Sequence, residues 1–152
     1  MRTPEALSAP IRVRTGLSVV LSSVASDSHT WNLVYLQLTL EELGHRVHNV
    51  GACVPDDLLL AESLRVRPDL IVVSSVNGHG FLDGTRLIRR LRTCPPLAAT
   101  PVVIGGKLGI AGPGGRHSSD ELRAAGYDAV FEDGAMASFR SYVEKLTVRV
   151  AG

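Results

Sequence analysis

An aspartate and a histidine stand two positions apart in the segment SDSHTWN, shortly after an apolar run. In an extended segment, residues i and i+2 point the same way, so the Asp27 carboxylate can accept the Nδ1 hydrogen of His29 and leave Nε2 free. This pairing orients a metal-ligating histidine and raises its basicity. The alternative is structural, with Asp27 capping the following helix and His29 solvated in a loop. The pair alone does not decide between the two.

Strand and helix patterns alternate along the chain and predict the elements that must position this pair. Strands are predicted at 17–22, 46–50, 70–74, 102–104 and 129–131. Helices are predicted after Asn32, from Pro55 to before Pro68, at 83–92, near 119–125, and in a last segment with Phe139, Tyr142, Val143 and Leu146 inward. This order indicates an α/β fold, a flavodoxin-like (Rossmann-like) doubly wound parallel sheet with strand order 2-1-3-4-5.

Three loops are expected to meet at one edge of this sheet. Open parallel sheets bind ligands beyond the carboxyl ends of their strands, near the point where the strand order reverses. The loops that leave strands one, three and four are 26–32, 74–80 and 105–115. They hold many of the 15 glycines of the chain. A ligand site is therefore predicted at this edge.

The composition argues against several classes of partner. Sixteen basic and 15 acidic residues in 152 give a formal net charge of +1, without the basic surplus that nucleic acid or an anionic membrane calls for. The apolar runs are well short of the roughly 18 residues of a membrane span. Cys53 and Cys94 have no metal-like spacing and indicate no disulfide framework, so a cytoplasmic location is expected. Residues 1–15 are interpreted as a flexible tail and 16–148 as one domain.

Common nucleotide and metal motifs do not fit these loops. A phosphate-binding P-loop would need Ser or Thr after Lys107, and a dinucleotide fold would need glycines between 17 and 44, where none stands. A phospho-accepting domain would want an aspartate at the end of strand three. Zinc needs three or four converging ligands, more than this edge offers. A weak FMN phosphate loop at 26–30 stays open.

Three short motifs at the strand ends resemble those of the cobalamin-binding domains of B12-dependent mutases and methyltransferases. Asp27-Ser28-His29, Ser74-Ser75-Val76 and Gly105-Gly106 match the Asp-x-His-x-x-Gly, Ser-x-Leu and Gly-Gly motifs of that family, over about 16–146 of this chain. The segments VVSSVNGHGFLDGTRLIRRL and VVIGGKLGIAG look most like those of the small cobalamin-binding subunits of glutamate mutases.

The resemblance implies a cofactor and the residues that hold it. Adenosylcobalamin would bind base-off, with His29 as the lower axial ligand of cobalt and Asp27 hydrogen-bonded to that histidine. The nucleotide tail would enter a slot between the sheet and its helices, where Ser74 meets the displaced base. The whole expected cofactor-binding set is Asp27, Ser28, His29, Thr30, Asn32, Ser74, Val76, Asn77, Gly78, Gly105, Gly106, Lys107 and Phe131.

The resemblance also implies a partner. The chain would be the cofactor-binding half of a carbon-skeleton mutase, inactive alone, with glutamate to 3-methylaspartate as the default reaction. A larger catalytic subunit, a TIM barrel by resemblance, would hold the substrate and dock on the rim formed by His29, 77–80 and 107–108. The alternatives left open are a corrinoid carrier for methyl transfer, a B12-sensing or delivery module, and a flavodoxin-like domain without corrinoid.

A few residues depart from the family pattern or have more than one interpretation. Asn32 replaces the motif glycine. If that glycine makes room for the nucleotide tail, Asn32 narrows the slot; if the glycine allows a positive φ angle, asparagine is tolerated at that position. Val76 replaces leucine, a mild change. Trp31 is expected to pack in helix one, with a lid over the corrin or its tail as the alternative. Lys107 and Arg116 are expected to be solvated, with a contact to cofactor phosphate or amide groups as the alternative.

Overall fold

The computed structural model describes residues 16–108, 116–132 and 134–151. The strands are β1 (Ser18–Ser23), β2 (Arg46–Gly51), β3 (Leu70–Ser75), β4 (Val102–Gly106) and β5 (Ala129–Glu132). The helices are α1 (Trp31–Glu42), α2 (Asp56–Val66), α3 (Gly80–Arg92), α4 (Arg116–Ala125) and α5 (Met136–Ala151). The predicted tail at 1–15, the loop at 109–115 and the side chain of Arg116 lie outside the described part of the chain.

The five strands form one parallel sheet in the order β2-β1-β3-β4-β5. This result confirms the predicted fold class and strand order. All six residues of β3 are buried, because the strand is central and both of its faces are covered. The same burial explains why β3 begins as a continuous apolar run in the sequence.

Helices cover both faces of the sheet. Ile71 and Val73 of β3 belong to the core under α2, α3 and α4, whose contributions are Leu59, Leu87, Ile88, Leu91 and Leu122. Leu70 and Val72 belong to the opposite core under α1 and α5, whose contributions are Leu33, Leu40, Phe139, Val143 and Leu146. This split follows from the period of two in a strand. None of the helices within the described ranges is both long and apolar enough to cross a bilayer.

The carboxyl ends of four strands lie side by side at one edge. The register places Ser23 of β1 beside Ser74 of β3, Ser74 beside Gly105 of β4, and Gly105 beside Phe131 of β5. Residues that are far apart in sequence therefore form a row across adjacent strands. The loops that carry the functional residues begin at this row.

Helix α3 begins at Gly80, earlier than the predicted start at 83. Asn77 Oδ1 accepts a hydrogen bond from the backbone N of His79 (2.9 Å), and the backbone N of Phe81 donates to the carbonyl oxygen of Leu108 (2.7 Å). These contacts turn the chain directly from β3 into the helix. Phe81 in this turn packs against the core, but the preceding Gly78 and Gly80 are typical of a loop, so the sequence did not reveal the first turn.

Candidate functional site

Asp27 is completely buried, and its carboxylate accepts four hydrogen bonds. Oδ1 accepts from the imidazole Nδ1 of His29 at 2.7 Å and from the His29 backbone N at 3.0 Å. Oδ2 accepts from the backbone N atoms of Val76 (2.6 Å) and Asn77 (3.2 Å) in the loop after β3. Asp27 does not cap α1, whose N-cap residue is Thr30. The carboxylate instead joins two loops and orients the imidazole.

The His29 ring keeps one nitrogen for a ligand. Burial raises the pKa of Asp27, but the hydrogen bonds from Val76 and His29 outweigh burial, so the pKa lies below its usual value. An anionic carboxylate holds the hydrogen on Nδ1 of the neutral ring and leaves the lone pair on Nε2. The His29 side chain is 58% exposed, and Nε2 has no hydrogen-bond partner among the described residues. The pair can therefore present a basic nitrogen to a metal ion.

The loop that carries His29 is held from two sides. The backbone N of Cys53, after β2, donates to the carbonyl oxygen of Asp27 at 2.8 Å. On the other side, Asn77 Nδ2 donates to the carbonyl oxygen of Ser26 at 3.0 Å. Elements on both flanks of β1 thus fix the backbone around the imidazole.

A cavity of about 330 Å³ opens near this loop, between the carboxyl edge of the sheet and helices α1 and α5, and we call it the slot. Its walls are largely apolar and include Leu36, Val72, Val103, Phe131, Met136 and Phe139. Phe131 and Phe139 meet edge to face, with ring centroids 5.5 Å apart. Members of the predicted cofactor-binding set that line the slot are Asn32, Ser74, Val76, Gly105, Gly106 and Phe131. An apolar slot with a few polar groups is typical of a small-molecule binding site.

Asn32 stands at the position of the motif glycine and lines the slot. Because α1 begins at Trp31, Asn32 has a helical backbone; the non-glycine residues with positive φ in the described ranges are Cys53 and Arg67. The positive-φ explanation for this position therefore does not apply. Asn32 Nδ2 donates to Ser74 Oγ at 2.7 Å, and Oδ1 is buried without a described partner. The side chain fills space that a glycine would leave open.

Two glycines of this edge are required by the chain itself. Gly106 has a φ of +106°, and a Cβ there would lie 2.1 Å from the carbonyl oxygen of Ser75 on β3. Gly78 has a φ of +86°, but a Cβ there would meet nothing within 4 Å. Both backbones favour glycine, and only Gly106 is also confined by packing. The fold therefore explains these glycines without reference to a ligand.

The exposed residues around His29 include one whose predicted position is wrong. Trp31 is 83% exposed, so it does not pack within helix one; Leu33 makes the core contact of that turn. Lys107 is exposed, as expected of a loop charge. Ser28 and Thr30 are also exposed, on the loop that carries His29.

Several slot residues were not predicted from the sequence. Tyr35 comes from α1, and Glu132, Met136 and Phe139 come from β5 and α5. Phe139 was predicted only as a core residue of the last helix. The predicted strand order could have indicated these residues, because the carboxyl end of β5 lies beside that of β4 at the same edge.

Comparison with known proteins agrees with this geometry. The B12 binding domain family matches residues 17–138. The glutamate mutase sigma subunits of Fusobacterium nucleatum and Halobacterium salinarum are each 29% identical to this chain, over 76% and 86% of it and over 85% of each relative. A cobalamin-binding protein from Desulfitobacterium hafniense, known from a crystal structure, matches with a TM-score of 0.68 at 17% identity, over 87% of this chain and 59% of its own. At that identity the crystal structure shows a shared fold.

The family match covers most of the described residues, including the three motifs on which the resemblance rests. Asp27 and His29 lie after β1, Ser74 ends β3, and Gly105 lies near the end of β4, so the motifs meet at one edge of the sheet. This chain belongs to the B12-binding domain family.

Proposed function

We propose that the chain is the cobalamin-binding small subunit of an adenosylcobalamin-dependent carbon-skeleton mutase of the glutamate mutase type. The observation that carries this proposal is the buried Asp27 carboxylate, which holds His29 Nδ1 at 2.7 Å near the slot. Relatives aligned over 85% of their own length bear the name glutamate mutase sigma subunit, which supports the same function.

The residues present fit this cofactor. A cobalamin whose own base is displaced from cobalt would need one nitrogen ligand from the protein. The exposed His29 ring has one free nitrogen, Nε2, and its other nitrogen, Nδ1, is held by the Asp27 carboxylate. The apolar slot, with the Asn32 amide and the Ser74 hydroxyl at its wall, fits the ring of a displaced nucleotide base.

Each residue then has a defined part. His29 would bind cobalt through Nε2, and Asp27 would keep the hydrogen on Nδ1 and make the ring a stronger electron donor. Ser74 would hydrogen-bond the displaced base. When bound, the cofactor supplies a cobalt–carbon bond whose homolysis starts a radical rearrangement. The contribution of this chain is to orient the corrin and to set the basicity of the axial nitrogen.

A second subunit completes the enzyme in this proposal. Substrate binding is assigned to a larger catalytic subunit, a TIM barrel by resemblance, with glutamate to 3-methylaspartate as the default reaction. That subunit would dock on the rim formed by His29, 77–80 and 107–108. Trp31, almost fully exposed two positions after His29, adds an aromatic side chain of the kind enriched at interfaces.

The test of the ligand assignment is spectroscopic. We expect the chain to bind adenosylcobalamin base-off with a histidine on cobalt, and the His29→Ala variant to lose the protein-ligated absorption spectrum. His79→Ala is the matched control, since His79 is also exposed at this edge, and it should behave like the wild type. A base-on spectrum that neither substitution changes would overturn the assignment.

The test of the mutase assignment is reconstitution. We expect no turnover of glutamate by the isolated chain with cofactor, and turnover once a mutase catalytic subunit is added. Turnover by the isolated chain would contradict the two-subunit proposal. Productive coupling to a methyltransferase instead would favour the methyl-carrier alternative.

A further inference from the structure

Asn32 and Ser74 form a directed hydrogen bond at the wall of the slot. Asn32 Nδ2 donates and Ser74 Oγ accepts, at 2.7 Å. The Asn32 carbonyl oxygen Oδ1 is buried without a partner among the described residues. In this arrangement the amide is the donor of the pair and the Ser74 hydroxyl is the acceptor.

The Ser74 hydroxyl keeps its own proton for another acceptor. Ser74 is 3% exposed, and the contact with Asn32 is the one hydrogen bond of its side chain within the described residues. A hydroxyl oxygen that accepts from an amide becomes a stronger donor, because hydrogen bonds in a chain polarise one another. The walls nearest along the sheet are apolar, with Val72 and Val103. The proton is thus available to a group that enters the slot.

We infer that Asn32 is a positioning residue that makes Ser74 a hydrogen-bond donor toward a ring nitrogen of the base in the slot. This inference rests on the proposed function. The relay runs from Asn32 N–H to Ser74 Oγ, and from Ser74 O–H to the ring nitrogen. The matching base carries an unprotonated ring nitrogen, as benzimidazoles and purines do and phenols do not. A glycine at this position would leave the Ser74 hydroxyl free to turn.

Asn32→Asp tests the direction of the hydrogen bond with almost no change in size. A carboxylate only accepts, so it would take the Ser74 proton and remove the donor from the slot. We expect the affinity for cobalamin to fall roughly 3- to 10-fold, the size of one net hydrogen bond. The affinity for cobinamide, which lacks the nucleotide base, should stay unchanged and shows that the variant is folded. Ser74→Ala should give the same pattern.

The double variant Asn32→Asp/Ser74→Ala separates the hydrogen bond from simple charge repulsion. A new carboxylate would also repel the phosphate of the nucleotide tail, and that repulsion does not need Ser74. If Asn32 acts through Ser74, adding Asn32→Asp to Ser74→Ala causes no further loss of affinity. A further loss as large as that of Asn32→Asp alone would overturn the inference. Gln37→Glu makes the same amide-to-acid change on α1 away from the slot lining and should bind like the wild type.

The wild type distinguishes a failure of this inference from a failure of the proposed function. A base-on spectrum of cobalamin bound to the wild type would contradict the proposed base-off binding. With a base-off spectrum, a ratio of cobalamin to cobinamide affinity that is the same in the wild type and in Asn32→Asp would contradict only the role of Asn32. Phenolyl cobamide, whose base has no ring nitrogen, should bind the wild type and Ser74→Ala with equal affinity.

Discussion

Asp27 Oδ1 lies 2.7 Å from His29 Nδ1, and the carboxylate is fully buried while the imidazole is more than half exposed. The other carboxylate oxygen is bound by backbone N–H groups of Val76 and Asn77, just beyond β3. The orientation of the exposed ring is therefore set by the loop after β3 as well as by its own loop.

Asp27→Asn should destabilise the fold. An amide can replace one acceptor oxygen but brings an NH2 group toward buried N–H donors, so charge-assisted hydrogen bonds are lost. We expect the free energy of unfolding to fall by about 2–3 kcal/mol, measured by urea denaturation. Asp57→Asn is the control, because the Asp57 side chain is 82% exposed and its ion pair with Arg90 lies at the surface, so it should change the value by less than about 1 kcal/mol. Equal effects of the two substitutions would contradict the anchoring role of Asp27.

The same carboxylate predicts a pH dependence. Because the pKa of Asp27 is lower in the folded chain than in the unfolded chain, its contribution to stability is present above about pH 4 and is lost as the pH falls through the folded pKa. The difference in unfolding free energy between the wild type and Asp27→Asn should therefore shrink as the pH is lowered from about 4 toward the folded pKa of Asp27, which lies below that value. A difference that stays constant over this range would contradict the assignment.

His45 predicts a second pH effect, at higher pH. The ring is buried, and its Nδ1 accepts a hydrogen bond from the backbone N of Leu17 at 3.0 Å. Burial lowers the pKa of His45, so the unfolded chain takes up a proton near pH 6.5 before the folded chain does. The stability of the wild type relative to His45→Gln should decline as the pH falls below about 6.5 toward the folded pKa. A relative stability that rises on acidification would show that the folded ring is the easier one to protonate.

Two glycine substitutions separate backbone strain from packing. Gly106→Ala combines a φ of +106° with a Cβ 2.1 Å from the Ser75 carbonyl oxygen, whereas Gly78→Ala has the strained φ of +86° and open space. We expect Gly78→Ala to cost about 1–2 kcal/mol of unfolding free energy and Gly106→Ala clearly more, because β3 and β4 must move apart. Thermal and urea denaturation measure both. A smaller loss for Gly106→Ala would contradict the packing explanation.

The sheet could be predicted from the sequence because it depends on local hydrophobic patterns and on the order of the strands and helices. The buried run of β3 and the regular alternation of strands and helices determine which residues lie at the carboxyl edge. The pairing of Asp27 with His29 followed from their spacing in an extended segment. The backbone N–H groups that bind the other carboxylate oxygen belong to residues about 50 positions away, and local spacing does not reveal them.

Other features depend on side-chain directions that local patterns do not contain. Trp31 is the first residue of α1 and lies on its solvent side. Its large aromatic side chain led to the wrong prediction that it packs in helix one. Asn32 reaches Ser74 only because α1 starts early enough to place it in the first turn. Met136 and Phe139 line the slot because α5 packs against the same face as α1.

Electron paramagnetic resonance of the cobalt(II) complex identifies the axial nitrogen. The protein is prepared with natural-abundance histidine and with ¹⁵N-labelled histidine, and each sample is bound to unlabelled cobalamin. Ligation by His29 predicts that the nitrogen splitting changes from the triplet of ¹⁴N to the doublet of ¹⁵N, and that His29→Ala abolishes the doublet. A triplet that persists in the labelled protein would assign the axial nitrogen to the base of the cofactor and would contradict ligation by His29.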